Sequence, residues 1–387
     1  MRVMISCGEP SGDLYAGALA RELFRLDPAL SIVGLGSERL KEAGAQLTAD
    51  FRGLSVTGLL EVARVLPRTY GVYRRLIADA QATRPDVFVA IDFPDFNFRV
   101  AHQMHRLGVP VVYYISPQLW AWRPGRLKTM RRIADRVLVI FPFEEEIYQR
   151  AEVPVEWVGH PLFDVSVPPQ PRESFLTVHS IDAGRPVVAL LPGSRRNEVR
   201  AILPGLLEAA AIMRNRVPGA QFVLARAPHL ADELFAGLRE STPQVTVIDG
   251  AADAVLASVD VALVASGTIT VQAAIHQCPM VVVYRLSPLT YRLGRPFVQV
   301  DTFAMANLVA GRKIVPELIQ DDFTPAAVAE QALRILQNPA EANRMRRDLS
   351  DVRAKLGAPG ASVRAAEAVL RVARAGARTA RQGSSSH

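Results

Sequence analysis

Short runs of β-branched and aliphatic residues alternate with stretches of helical apolar spacing along almost the whole chain. Runs that are apolar at every position, rather than at every second one, read as strands buried on both faces. Their alternation with helices predicts parallel sheets with crossover connections. In the first half the runs are Val3–Ser6, Ile32–Leu35, Val87–Asp92, Val111–Ile115, Val137–Ile140 and Val155–Val158. A proline-rich segment, Pro161–Pro171, separates them from Val187–Leu191, Gln221–Ala225, Val245–Ile248, Val261–Val264 and Met280–Tyr284. The expected fold class is α/β, with two doubly wound Rossmann-like domains. Helical spacing then dominates in Thr324–Leu336, Ala340–Lys355 and Ser362–Ala375. The small, polar tail Arg378–His387 is expected to stay unfolded. The boundaries expected are a first domain over 1–165, a second over 166–345, helices over 346–376 and a disordered tail over 377–387. Periodicity leaves open whether the last helix closes the second domain or returns to the first.

Ligands of doubly wound sheets sit at the carboxyl ends of the strands, which directs attention to a few loops. After Val187–Leu191 comes Pro192-Gly193-Ser194-Arg195-Arg196-Asn197-Glu198, leading into an amphipathic helix. Gly193 lets a ligand approach the backbone, Ser194 can donate a hydrogen bond, the first N–H groups of a helix lack partners, and Arg195 can grip two phosphate oxygens. Ser266-Gly267-Thr268 ends another strand and opens another helix, so two similar anion cradles are expected on one sheet, with a diphosphate between them and Arg195 as counter-charge. After the first strand, Gly8-Glu9-Pro10-Ser11-Gly12-Asp13 opens a helix without the spacing of a dinucleotide fingerprint or a Walker loop. Glu9 and Asp13 suit sugar hydroxyls better than phosphate, although Asp13 also fits a helix cap. Asp92 ends the third run, where a carboxylate can take a proton from a hydroxyl nucleophile. Asp95 or Asn97 is placed to cap the next helix. Ser116 precedes Trp120 and Trp122, indoles that either fill a core gap or line a ligand wall. His160 fits substrate contact and packing about equally.

Composition narrows the partners. The 387 residues carry a formal net charge of +7 and two cysteines, and the pI is near 9.7. An anionic partner is implied. No basic stretch interleaved with aromatics and no nucleic-acid module is recognisable, so phosphorylated ligand or acidic membrane surface is preferred to nucleic acid. Cys7 and Cys278 make neither a metal cluster nor a disulfide framework and read as small buried hydrophobes. Metal and cofactor are expected to be absent, with leaving-group charge met by Arg195 and helix N-termini. No apolar run approaches the roughly 18 residues of a spanning helix, and the N-terminus lacks a signal peptide's pattern. A cytoplasmic location is expected.

Taken together, Gly8–Asp13, Ile91–Asn97, Ser116–Arg123, Phe141–Glu144, Val158–Pro161, Leu191–Val199, Ala265–Thr268 and Ala306–Gly311 resemble the lipid-A-disaccharide synthases, glycosyltransferases of the GT-B type, in order and spacing. The resemblance covers residues 1 to about 370. It implies two domains facing across a cleft. It also implies inverting transfer of a 2,3-diacylglucosamine unit from UDP to the 6-hydroxyl of 2,3-diacylglucosamine 1-phosphate. Asp92 and Arg195 match the family's essential aspartate and arginine, and Asn307, Glu317 and Gln320 fall in the segment the family uses around the nucleotide. One position departs: Gln272 stands where the family usually has a glutamate that accepts from ribose hydroxyls. Another UDP-sugar enzyme of this fold, such as a UDP-N-acetylglucosamine epimerase, is the alternative, and a non-catalytic anion-binding protein is the reading from another class. A homodimer stays open.

The segment Gly58–Ala80 reads as two helical pieces broken near Pro67. Leu59, Leu60, Val62, Val65 and Leu66 surround most of the first piece, so it is either buried on nearly all sides or enters something apolar. Since the implied substrates carry acyl chains, that piece is expected to contact membrane or acyl chain on the inner face of the cytoplasmic membrane, with Arg64, Arg68, Arg74 and Arg75 drawn to anionic head groups.

Overall fold

The computed structural model describes residues 1–52, 59–119, 124–166, 170–286 and 302–384. The apolar runs become strands of two parallel sheets. Among the described residues the first sheet contains β1 (Arg2–Ser6), β2 (Ser31–Gly36), β3 (Gln46–Asp50), β4 (Val87–Ile91), β5 (Val111–Tyr114), β6 (Arg136–Val139) and β7 (Val155–Trp157), in the spatial order β3-β2-β1-β4-β5-β6-β7. The second contains β8 (Val187–Leu191), β9 (Gln221–Arg226), β10 (Val245–Asp249), β11 (Val261–Ala265), β12 (Met280–Tyr284) and β13 (Glu317–Ile319), ordered β10-β9-β8-β11-β12-β13. Every residue of β4, β8 and β11 is buried, as a strand covered by helices on both faces requires.

The differences from the sequence reading have local causes. β3 and β13 are edge strands whose sequences, Gln-Leu-Thr-Ala-Asp and Glu-Leu-Ile, carry too few apolar residues to be seen as buried runs. β4 and β5 stop before Asp92 and Ile115, because those residues have φ of 44° and 57° and leave extended geometry. Leu59–Thr83 is one helix rather than two, with Pro67 inside it. Pro67 and its neighbours Leu66 and Arg68 are exposed, so water can reach the carbonyl that proline leaves without a donor.

The chain divides into two compact units: Ser166–Lys355 is one, and the sequences before and after it form the other. The last helix, Ala361–Ser384, packs on the helix Pro10–Leu26 and touches β4 and β5, so it returns to the first unit. It also runs through Arg378–Ser384, where the tail was expected to be unstructured. Alanine, arginine and glutamine there are good helix formers and extend a helix already nucleated by packing. Among the described residues no helix is long and apolar enough to cross a membrane.

The returning helix is anchored at its start. One Asp164 carboxylate oxygen accepts the Gly360 N–H at 2.5 Å and the other accepts the Ser362 N–H at 2.6 Å. Arg364 Nε donates to the Val158 carbonyl at 2.7 Å. Removing an N-terminal helix cap costs about 1–2 kcal/mol, so Asp164→Ala should lower Tm by a few degrees in a thermal melt followed by circular dichroism. An unchanged melt would show that the helix is held by packing alone.

Candidate active site

Strand order reverses between β1 and β4 in the first sheet, so the loops leaving these neighbours diverge and open a crevice at their carboxyl ends. Asp92 and Phe93 occupy that point, both left-handed, with φ of 44° and 49°. Pro94 then starts the helix Pro94–Arg106. Neither Asp95 nor Asn97 caps it: Phe93 is the cap residue, with no side-chain hydrogen bond. Asp95 instead lies 2.6 Å from Arg126. Asn97 is fully buried and ties the crevice together. Its Nδ2 donates to the carbonyls of Ser6, Ile91 and Asp92 at 3.1, 3.2 and 2.8 Å, and its Oδ1 accepts from Ser6 Oγ at 2.6 Å.

The β1 loop is part of this geometry. A Cβ on Gly8 would lie 2.3 Å from the Phe93 ring, so glycine is required for Phe93 to pack. Gly12 is packed against Cys7, and Ser11 and Glu9 are half-buried. Asp13 is 4% exposed. Its oxygens accept the N–H groups of Ser37, Arg39 and Leu40 at 2.7, 2.9 and 3.3 Å. Asp13 thus fixes the loop after β2, the structural role that stood beside contact with sugar hydroxyls. Ser116 is buried and hydrogen-bonded to the Tyr148 hydroxyl. Trp120 and Trp122 lie outside the described residues. His160 is buried between the rings of Tyr15 and Phe141, and its Nδ1 accepts the Leu162 N–H at 3.2 Å, which favours packing over substrate contact.

In the second sheet the order reverses between β8 and β11. The two turns expected to be alike are not. After β8, one Glu198 oxygen accepts the N–H groups of Ser194 and Arg195 at 3.1 and 3.2 Å, and the other accepts Arg195 Nη1 at 2.8 Å. Gly193, at φ 115°, could not carry a side chain here, since a Cβ would approach the Glu198 carboxylate to 2.5 Å. The protein's own carboxylate thus fills the first cradle. A glutamate three residues into a helix does this routinely, and Arg195 to Glu198 has that spacing. After β11, Gly267 and Thr268 are exposed, and among the described residues the helix Thr268–Ile275 has no side-chain cap and nothing lies within 4 Å of a Cβ on Gly267. This second turn is open.

Three of the other residues expected around the nucleotide hold loops. Asn307 is 1% exposed. Its Oδ1 accepts the N–H groups of Ile314 and Val315, and its Nδ2 donates to the Val315 carbonyl and to Glu317. Glu317 also accepts the N–H groups of Phe303 and Ala304, and Ser266 Oγ donates to the Phe303 carbonyl at 3.0 Å. Gln320 bonds both main-chain groups of Leu286. Asn307 and Glu317 thereby brace the segment that holds Ser266, and Gln320 braces Leu286. Among the described residues no group of three His, Cys, Asp or Glu is placed to hold a metal ion.

A family model described as "Lipid-A-disaccharide synthetase" matches residues 3–372. The lipid-A-disaccharide synthase of Geobacter sulfurreducens is 43% identical over 369 residues, covering 94% of this chain and 95% of its own. That of Anaeromyxobacter dehalogenans is also 43% identical, with 95% and 96% covered. The chain belongs to the lipid-A-disaccharide synthase family. Its fold is shared more widely. The structure titled UDP-GlcNAc 2-epimerase from Neisseria meningitidis bound to UDP-GlcNAc superposes with a TM-score of 0.67 at 13% identity, covering 96% of this chain and all of that one. The glycotransferase of kitacinnamycin gives 0.62 at 20%, with 96% and 98% covered. Those likenesses speak for the fold alone, and the epimerase alternative is not favoured.

Within this synthase-family chain, the Gln272 departure has a physical setting. Gln272 Nε2 donates to Asp253 Oδ1 at 3.2 Å, and His276 Nε2 lies 2.8 Å from the same oxygen. A glutamate at 272 would set two carboxylates against each other, whereas the amide donates. Sequence reasoning passed over Glu198 despite its spacing, and nothing in the sequence marks Tyr113, whose hydroxyl donates to the Asp92 carbonyl at 2.9 Å from β5.

Burial pushes the His160 imidazole from 6.5 down to about 3. The folded chain therefore keeps it neutral while the unfolded chain protonates it. Between about pH 6.5 and 3 the unfolded state binds the extra proton, so stability falls with falling pH, by at most about 1.4 kcal/mol per pH unit. His160→Gln should lose less Tm than the parent as pH drops from 6.5 toward 4.5. Equal losses would remove His160 as the source.

Proposed function

We propose that this chain is an inverting hexosyltransferase joining UDP-2,3-diacylglucosamine to 2,3-diacylglucosamine 1-phosphate to give the β-1,6 lipid A disaccharide 1-phosphate and UDP. Family membership over residues 3–372 carries the reading. In this scheme Asp92 accepts the proton of the acceptor's 6-hydroxyl as that oxygen bonds to the donor's anomeric carbon. The bond from that carbon to the UDP oxygen breaks on the opposite face, which accounts for inversion. The negative charge that grows on UDP is met by Arg195 and by the N–H groups of the open turn Ser266–Thr268. Glu198, sitting on the other turn, leaves this one to supply main-chain donors.

Asp92→Asn should lower turnover by about 10²–10⁴-fold with UDP still bound, read as disaccharide by mass spectrometry from the two purified substrates. Near-parental turnover would remove Asp92 from the chemistry. Arg195→Ala should likewise lower the rate sharply, and Arg195→Lys should restore only part of it, because an ammonium cannot reproduce a two-pronged phosphate contact. Full rescue by lysine, or activity abolished by a chelator, would count against Arg195 as the counter-charge.

We further propose that the protein works as a peripheral protein on the inner face of the cytoplasmic membrane, docked through the helix Leu59–Thr83. Leu66 and Tyr70, one turn apart, are 51% and 62% exposed, Val65 is half-buried, and Arg68, Arg74 and Arg75 are exposed. The side chains of Leu59, Leu60, Val62 and Arg64 lie outside the described residues. Each basic residue near an anionic surface contributes roughly 1 kcal/mol. Replacing Val65 and Leu66 with serine should weaken binding to anionic vesicles while leaving Tm unchanged; a large fall in Tm with vesicle binding intact would place this helix in the core.

A further inference from the structure

Two consecutive L-residues in the left-handed region, Asp92 and Phe93, are unfavourable by about 1–2 kcal/mol each, and such a conformation persists only where its surroundings over-determine it. Four neighbours do so. Phe93 packs over the bare backbone of Gly8 and stacks on Phe96 with ring centres 5.2 Å apart. The Asp92 carbonyl accepts two part-buried hydrogen bonds from different elements: Asn97 Nδ2 at 2.8 Å, from the following helix, and the Tyr113 hydroxyl at 2.9 Å, from β5. Tyr113 and Asn97 are both 0% exposed. The Tyr113 ring is itself fixed, since its residue pairs with Ala90 on β4 and its ring lies 5.7 Å from that of Phe98. Burial, with the nearby Asp92 charge adding to it, holds the phenol well above its usual pKa, so it remains a donor wherever the enzyme works.

We propose that Tyr113, together with Asn97, is a positioning residue that sets where the Asp92 carboxylate is presented. Neither side chain is assigned contact with substrate. Both act on the Asp92 carbonyl, and the direction of the Asp92 side chain follows from the φ they hold. This inference rests on Asp92 being the base of the proposed reaction. Losing the tether lets the carboxylate move, and misplacement by about 1 Å can cost on the order of 10²-fold in rate.

Tyr113→Phe removes one oxygen and keeps the packed ring. The full-length protein should lose roughly 10- to 100-fold in kcat, with KM for both lipid substrates and the Kd for UDP within about twofold. Asn97→Asp, which keeps the volume but loses the amide donor, should show the same division between kcat and KM. On an Asp92→Asn background Tyr113→Phe should cause no further loss, because residues acting as a unit are non-additive. Parental kcat in Tyr113→Phe, or an equal further loss on the Asp92→Asn background, overturns the inference while Asp92 keeps its role. An Asp92→Asn enzyme that turns over normally overturns both readings together.

Discussion

Strands buried on both faces leave polar groups one place to go, the strand ends, and there each main-chain N–H needs an acceptor. This chain meets that need with carboxylates. At the amino ends Asp86 accepts the Arg2 N–H, Asp135 that of Val111 and Asp260 that of Val187, at 2.6, 2.7 and 2.8 Å. At the carboxyl ends Asp13, Glu198 and Glu317 each accept two or three N–H groups of a nearby turn. A hydrogen bond to a charged acceptor contributes about 1.5–3 kcal/mol, so a carboxylate with several such bonds fixes a loop that would otherwise be the softest part of the fold.

That device decides which carboxyl-end turns can take a ligand. Glu198 by itself would repel an anion about 5 Å away by about 3 kcal/mol at an effective dielectric near 20, and the Arg195 guanidinium at 2.8 Å offsets that charge. Such a penalty is comparable to what one good charged hydrogen bond returns. Among the described residues the turn after β11 has no resident carboxylate, and Glu317 and Asn307 support it through Phe303 and Ser266. The two turns of the second sheet therefore divide the work: one holds a guanidinium, and the other offers main-chain donors.

The fold class and the strands buried on both faces were legible, because a wholly apolar run has few other places to go. Edge strands β3 and β13 were not, since Gln-Leu-Thr-Ala-Asp and Glu-Leu-Ile carry too few apolar residues to stand out, whereas β7 and β10, also at edges, kept a readable β-branched pattern. The candidate site divides in the same way. Asp92 and Arg195 were singled out from their place after a strand, and the structure sets each of them in the loop after a strand's carboxyl end. Asp13, Asn307, Glu317 and Gln320 were read as ligand contacts because their types and loops allow it. Whether a carboxamide or carboxylate faces a ligand or a neighbouring N–H depends on partners far along the chain, as with Asp13 and the loop Ser37–Leu40. Glu198 is the exception, its target lying three residues away and its spacing being written in the sequence.

A scaffold that superposes on an epimerase at 13% identity does not by itself choose a reaction. What it supplies is a point in each sheet where strand order reverses and a loop can be held rigidly. At the first of these points the parts depend on one another: Phe93 needs the bare backbone of Gly8, Asp92 needs Phe93 and the tethers from Asn97 and Tyr113, and Asn97 needs the Ser6 hydroxyl to fix its amide. Removing any one of them relaxes the strained pair toward the ordinary right-handed region, which turns the backbone at Asp92 and redirects its side chain. The backbone at this end of the sheet is therefore held by a set of neutral hydrogen bonds, and the placing of the Asp92 carboxylate follows from them.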